Sequence, residues 1–221
     1  MKNKDHYLLK NKDYFGNARM DLIGLLPKGD NKVLEIGCGT GSTGQKLKSE
    51  GKASEVIGVE IMAWAAKEAE GKFDKVICGD IEIIDLPFEK DYFDYVIAGD
   101  VFEHLGDPWA VLRKISFFIK KDGYVVASIP NIRHWHIIRD IVLKGEWSYE
   151  KQGILDETHL RFFTKKSIIK LFENNGFETI EILPIFKLVS QKSKSWFFDK
   201  LTFGIFEEFI VRQYMIKAKK Q

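Results

Sequence analysis

Short apolar runs and amphipathic stretches alternate along the chain. Val33 to Ile36, Glu55 to Val59, Lys75 to Cys78, Tyr95 to Ala98 and Tyr124 to Ile129 read as strands, the first a short apolar run suited to the middle of a sheet. Between them lie stretches of helical character. Asn17 to Leu26 carries Ala18, Leu22 and Leu25/Leu26 on one face and ends at Pro27 and Gly29. Ser42 to Ser49 starts a helix with Ser42 or Thr43 as N-cap, and Ala63 to Glu70 is Ala-rich and closed by Gly71. Asp107 caps a further helix with Pro108 at N1 and an apolar face of Ala110, Val111, Ile115, Phe118 and Ile119. Lys120 and Lys121 suit its negative end, and Asp122-Gly123 is expected to terminate it. Five successive βα units predict an α/β fold with a doubly wound parallel sheet. Gly176 to Leu183 and Phe209 to Ile216 are strand-like with no crossover helix between them, which predicts an antiparallel hairpin at the sheet edge.

Three segments fall outside this alternation. Residues 1–30 form an N-terminal cap. Residues 130–164 read as a lid, with a helix from Trp135 to Leu143 that stops near Gly145, and with Trp147 and Tyr149 adding aromatic surface. Residues 187–208, with Trp196, Phe197, Phe198, Leu201, Phe203, Ile205 and Phe206, make an apolar insertion in the closing hairpin, suited to a contact with the lid, a homodimer partner or a membrane surface, the first two preferred. A length of 221 residues fits one domain spanning 1–221.

A hydrophobic share of 45% and a charged share of 30% describe a globular chain, and a net charge of +2 argues neither for nor against nucleic acid. Cys38 and Cys78 lack metal spacing and read as free thiols. No apolar run approaches the roughly 18 residues of a membrane span, and no secretory signal is visible. The expected location is cytoplasmic.

The chemistry is concentrated after the first strand. Gly37, Gly39 and Gly41 form a turn between Ile36 and the next helix, where backbone N–H groups and a positive helix end face the carboxyl edge of the sheet. Gly39 to Gly44 fits G-x-G-x-x-G, the dinucleotide-binding fingerprint, and would imply an NAD-dependent oxidoreductase. Glu35 to Gly41 fits E-x-G-x-G-x-G, the first motif of class I methyltransferases. Glu60 ends the second strand, where a carboxylate can accept both ribose hydroxyls under either reading. Asp80 with Ile81, at the end of the third strand, suits an adenine amine and ring face.

From the glycine motif through Glu60, Gly79-Asp80-Ile81, Phe93 to Ile97, Asp122-Gly123-Tyr124 and the closing hairpin, the chain resembles class I S-adenosylmethionine-dependent methyltransferases. That resemblance implies a Rossmann-like sheet of seven strands, mostly parallel with one antiparallel strand, and helices on both faces. It implies S-adenosylmethionine as cofactor and S-adenosylhomocysteine as product. Gly37 and Gly39 would lie under the methionine part, Glu60 at the ribose, and Asp80 with Ile81 at the adenine; Glu35, Gly41, Ile61 and Asp100 complete the cofactor set. Tyr14 and Arg19 would close over the cofactor from the cap. Glu103-His104-Leu105 resembles the segment of small-molecule methyltransferases such as the ubiquinone-biosynthesis O-methyltransferases. Asp156 to Thr164 resembles a segment of methyltransferases encoded with polysaccharide-assembly enzymes. Ala98-Gly99-Asp100-Val101 stands where methyltransferases of DNA bases carry Asn/Asp-Pro-Pro-aromatic, so DNA is not the expected substrate. A protein that merely holds the cofactor is the non-catalytic alternative.

Methyl transfer to a hydroxyl needs alignment and a base, with no metal. His104 and His159 are the candidate bases. Asn131, Arg133, Trp135 and Arg161 are the candidate acceptor contacts, the arginines for a carboxylate or phosphate, on a sugar, phenolic or related small molecule.

Overall fold

A computed structural model describes residues 15–185 and 207–221. Its strands are β1 (Lys32–Ile36), β2 (Glu55–Glu60), β3 (Lys75–Cys78), β4 (Phe93–Gly99), β5 (Ile119–Pro130), β6 (Phe177–Ile185) and β7 (Gln213–Lys220). They form one seven-stranded sheet in the order β3-β2-β1-β4-β5-β7-β6. The pairs from β3 through β5 are parallel, and β7 runs antiparallel to both β5 and β6. The expected antiparallel pair is present, but only β6 is at the edge, because β7 inserts between β5 and β6. That insertion gives β7 two hydrogen-bonded neighbours and fully buries Tyr214, Ile216 and Ala218.

The helices are α1 (Met20–Ile23), α2 (Ser42–Ser49), α3 (Ala63–Ala69), α4 (Pro108–Phe118), α5 (Trp135–Arg139), α6 (Lys165–Glu173) and α7 (Glu207–Ile210). Both sheet faces are covered. Leu34, Ile36, Ile57 and Val59 pack with Val111, Leu112 and Ile115 of α4 and Ile168, Leu171 and Phe172 of α6. Val33, Val56 and Ile97 pack with Leu22 and Ile23 of α1, Leu47 of α2 and Ala69 of α3.

Several boundaries differ from the sequence expectation, each for a local reason. The first helix shrinks to Met20–Ile23, because Phe15 to Ala18 runs toward the glycine turn. Helix α2 is capped by Gly41 in the left-handed region; Ser42 is already helical, and its hydroxyl donates to the Gly16 carbonyl at 2.6 Å. Asp107 caps α4 as expected, accepting from the Ala110 amide at 2.9 Å. The helix ends at Phe118, so Asp122-Gly123 does not terminate it. Ile119 already pairs with Phe93 in the sheet, and Lys120 reaches Asp94 at 2.7 Å. The last strand starts at Gln213, since 207–210 takes a helical turn. Outside the expected elements lies α6, started by a reciprocal Thr164–Ser167 cap.

The segment 130–164 folds on a satellite core of Ile137, Ile154 and Leu155, with Ile132 and Phe162 against it. Helix α5 continues as a π-helical turn, Asp140–Lys144, and stops at Gly145 in the left-handed region, where the sequence places its end. Both ends of the segment are tied down. The Ile132 amide donates to the Phe163 carbonyl at 2.8 Å, and the Leu160 and Arg161 amides donate to the Glu103 carbonyl at 2.8 and 2.9 Å. Tyr14 and the apolar run from Trp196 to Phe206 lie outside the described residues.

Candidate active site

The turn after β1 needs backbone freedom. Gly37, Gly39 and Gly41 have φ of 69°, 52° and 87°. At Gly39 the constraint is double, because a Cβ would also collide with the Phe15 carbonyl oxygen. That oxygen accepts from the Thr40 amide at 2.9 Å and from its hydroxyl at 3.1 Å. The N-terminal cap therefore lies directly on the glycine turn. Its Arg19 amide reaches the Thr43 hydroxyl at 3.1 Å.

Beneath the turn sit two buried acids. Glu60, 3% exposed, accepts from the Gly39 amide through Oε2 and from the Met62 amide through Oε1, both at 2.8 Å. One carboxylate thus ties the glycine turn to the end of β2, beside half-buried Ile61, and keeps lone pairs for further donors. Burial pushes its pKa up against the pull of those amides. Glu35 is pushed up to about 8, first by burial and further by the nearby Glu60, against hydrogen bonds from Thr43 and the Gly44 amide. Its Oε2 is buried with no hydrogen-bond partner among the described residues. Asp80 uses Oδ1 to accept from the Glu82 amide at 2.9 Å, and Ile81 is part of the main core.

The raised Glu35 pKa has a thermodynamic consequence. The native chain keeps a proton that the unfolded chain releases between its ordinary pKa of 4.5 and about 8. This contribution to stability is complete below pH 4.5 and is lost as pH rises through about 8. At about 1.4 kcal/mol per pKa unit it amounts to a few kcal/mol at most. Thermal melts from pH 5 to pH 8.5 should show Glu35→Gln losing less stability with rising pH than the parent; equal slopes would contradict it.

A second group forms where β4 ends. Asp100 sits there at φ 56°, an uncommon conformation that Asp tolerates. It accepts from Arg19 at 2.6 Å, from the Ser128 hydroxyl at 3.0 Å and from the Gln213 amide. Burial works against the Arg19 charge, but Asp100 and Asp21 overcome it and hold its pKa above the ordinary value. Past Asp100, Glu103 and His104 lie on a helical turn at Phe102–His104. The Glu103 carbonyl anchors segment 130–164 through Leu160 and Arg161, and so His104 meets His159: their rings are 4.7 Å apart, edge to face.

Both imidazoles are oriented through Nδ1. That of His104 faces the Thr158 carbonyl at 3.1 Å and the Thr158 hydroxyl at 3.1 Å; the hydroxyl in turn donates to Asp156 at 2.7 Å. That of His159 faces the Ile154 carbonyl at 3.0 Å. A carbonyl only accepts, so each Nδ1 carries the proton and each Nε2 the lone pair. The His104 Nε2 is itself buried. Glu103, 1% exposed, has both carboxylate oxygens buried with no hydrogen-bond partner among the described residues. Burial, then Asp100, pushes its pKa well up. Glu103, His104 and His159 bring one ligand atom each within 4.8 Å of one another, a set that has the donors to hold a cation.

These groups line a cavity of about 280 Å³. Its walls come from the end of β4, from residues 152–159, and from Arg212 and Gln213 at the start of β7. The expected acceptor contacts are elsewhere. Asn131 is fully buried, with its amide on the Glu208 and Val211 carbonyls. Arg133 is paired with Glu208, Arg161 donates to the Gly106 carbonyl over the Trp109 ring, and half-exposed Trp135 stacks with Arg139. Arg212, Gln213 and Gln152 carry no motif that marks them in the sequence.

A glycine turn, a ribose-type acid at the end of β2 and a histidine-lined cavity thus share one sheet edge. The model of a family described as methyltransferase domain matches residues 8–182, and the chain belongs to that family of enzymes. This sets aside the oxidoreductase reading of Gly39 to Gly44 and the non-catalytic alternative. Among similar proteins, one of Methanocaldococcus jannaschii, itself uncharacterised, is 29% identical over 170 residues, covering 76% of this chain and 75% of that one. A demethylmenaquinone methyltransferase of Oceanobacillus iheyensis is 26% identical over 171 residues, covering 68% and 71%. Among solved structures, a SAM-dependent methyltransferase from Archaeoglobus fulgidus superposes with a TM-score of 0.66 at 24% identity, covering 97% of this chain and 99% of that one.

Proposed function

We propose that this enzyme moves a methyl group from S-adenosylmethionine to a hydroxyl of a small molecule, a sugar, phenol or related metabolite. The observation that carries this is the His104–His159 pair, oriented by carbonyls and facing a cavity at the sheet edge that also holds the glycine turn. The residues around the turn fit the cofactor. Glu60 has lone pairs for ribose hydroxyls beyond its two amide contacts, and Glu35 presents a buried oxygen without a partner. The bound cofactor supplies an electrophilic methyl on a sulfonium.

The chain's own residues then align the acceptor and take its proton. His159 is the base. Its Nδ1–H is held by Ile154, as a partner must hold it for Nε2 to accept. His104 sits behind it, with Nε2 enclosed. The segment 130–164 closes the acceptor side and Phe15 to Arg19 the cofactor side, keeping water from the reacting atoms. The demethylmenaquinone methyltransferase among the relatives supports a small-molecule acceptor, and the cavity volume suits one. No described helix is long and apolar enough to cross a membrane, and we place the enzyme in the cytoplasm, without a DNA substrate.

Calorimetry with S-adenosylmethionine, S-adenosylhomocysteine and NAD tests the cofactor. Binding of the first two without NAD is expected and opens an acceptor screen; binding of NAD alone would overturn the reading.

A further inference from the structure

Arg212 differs from the other arginines of the chain. Arg19 pairs with Asp21 and Asp100, Arg133 with Glu208 and Arg139 with Asp140. Arg161 donates to the Gly106 carbonyl and Arg113 to the Asn175 side chain. Arg212 is half-buried and lines the cavity, yet it makes no ion pair or side-chain hydrogen bond among the described residues. Of the acids around it, Asp100 pairs with Arg19 and Asp156 accepts from Thr158, while Glu103 lines the same cavity and Glu150 lies beside the same Gly153, neither forming an ion pair with Arg212 among the described residues.

Its main chain is clamped. The Arg212 carbonyl accepts from the Asn131 amide at 2.8 Å, and the buried Asn131 side chain holds the Val211 and Glu208 carbonyls at 2.8 and 2.6 Å. Gly153 lies beside the guanidinium: a Cβ there would come 3.8 Å from Arg212 Nη2 and 3.6 Å from Glu150 Oε2, ordinary contact distances. A partly buried guanidinium without an acceptor is unfavourable. Its planar fork matches two oxygens of one anion.

We propose that Arg212 recognises an anionic oxygen group, carboxylate or phosphate, on the methyl acceptor, so that the substrate is a small hydroxyl-bearing acid. The anion anchors at Arg212 and the hydroxyl meets His159, two groups that line the same cavity. The proposal rests on the methyltransferase reading above and names its substrate class.

The test is a two-stage titration of the intact chain. S-adenosylhomocysteine is added first. The complex then receives charged and neutral twins: 4-hydroxybenzoate with 4-hydroxybenzamide, and glucose 6-phosphate with glucose. At least one charged twin should bind about 10-fold or more tightly than its neutral partner, and which one separates carboxylate from phosphate. Arg212→Gln should weaken that binding about 10- to 100-fold and Arg212→Lys less, with S-adenosylhomocysteine affinity and melting temperature unchanged. Neutral twins binding as tightly, an unaffected Arg212→Gln, or no charged twin binding to the complex would overturn the proposal alone. Failure of S-adenosylhomocysteine to bind appears in the first stage and would overturn the underlying reading, and the proposal with it.

Discussion

Replacing His159 with Gln is expected to lower turnover by about 100- to 10,000-fold, the range for loss of a positioned general base. S-adenosylhomocysteine binding should stay at the parental level, because His159 lines the cavity proposed for the acceptor and not the glycine turn. Gln keeps a donor for the Ile154 carbonyl, so the lid need not collapse when the ring is removed. His104→Gln should cost less in turnover and more in lid stability, since His104 holds Thr158 through two contacts. Equal turnover of His159→Gln and parent would remove His159 from the chemistry. A chelator should leave the parent active. If it abolishes turnover and a divalent cation restores it, the Glu103–His104–His159 trio holds a metal rather than a base.

The part of the site that could be read from sequence is the part made by local geometry. A glycine turn between a strand and a helix announces itself, as Gly37 to Gly41 does, because the backbone requirement falls on adjacent positions. Glu60 is legible for the same reason, at a fixed spacing from that turn. His104, on the helical turn after β4, and His159, in segment 130–164, were legible as candidate bases, but their contact was not. It depends on the Glu103 carbonyl capturing the Leu160 and Arg161 amides, and a backbone acceptor leaves no trace in residue type. Arg133 and Arg161 show the converse. Their charge attracted an acceptor role, while tertiary partners engage both elsewhere. Arg212 reaches the cavity only because β7 is threaded between β5 and β6, a topology set by long-range pairing.

The largest effect on the cofactor is expected at Glu60. Its carboxylate holds two backbone amides and, in the proposed function, the cofactor ribose, and Glu60→Ala removes both. Two buried amides, of Gly39 and Met62, lose their acceptor, at about 1–3 kcal/mol each. The cofactor ribose would lose two hydrogen bonds to a charged acceptor, at about 1.5–3 kcal/mol each. Affinity for S-adenosylhomocysteine should therefore fall roughly 100-fold or more. The melting temperature should drop while the far-ultraviolet spectrum stays native, since the sheet and both apolar faces do not depend on this side chain. Asp80→Ala should weaken binding less and cost less stability, because Asp80 braces one exposed turn. The two variants together separate recognition from scaffolding. A loss of stability in Glu60→Ala with unchanged affinity would leave Glu60 as a tie between the glycine turn and β2 alone. Parental affinity in both variants would place the cofactor away from the ends of β2 and β3.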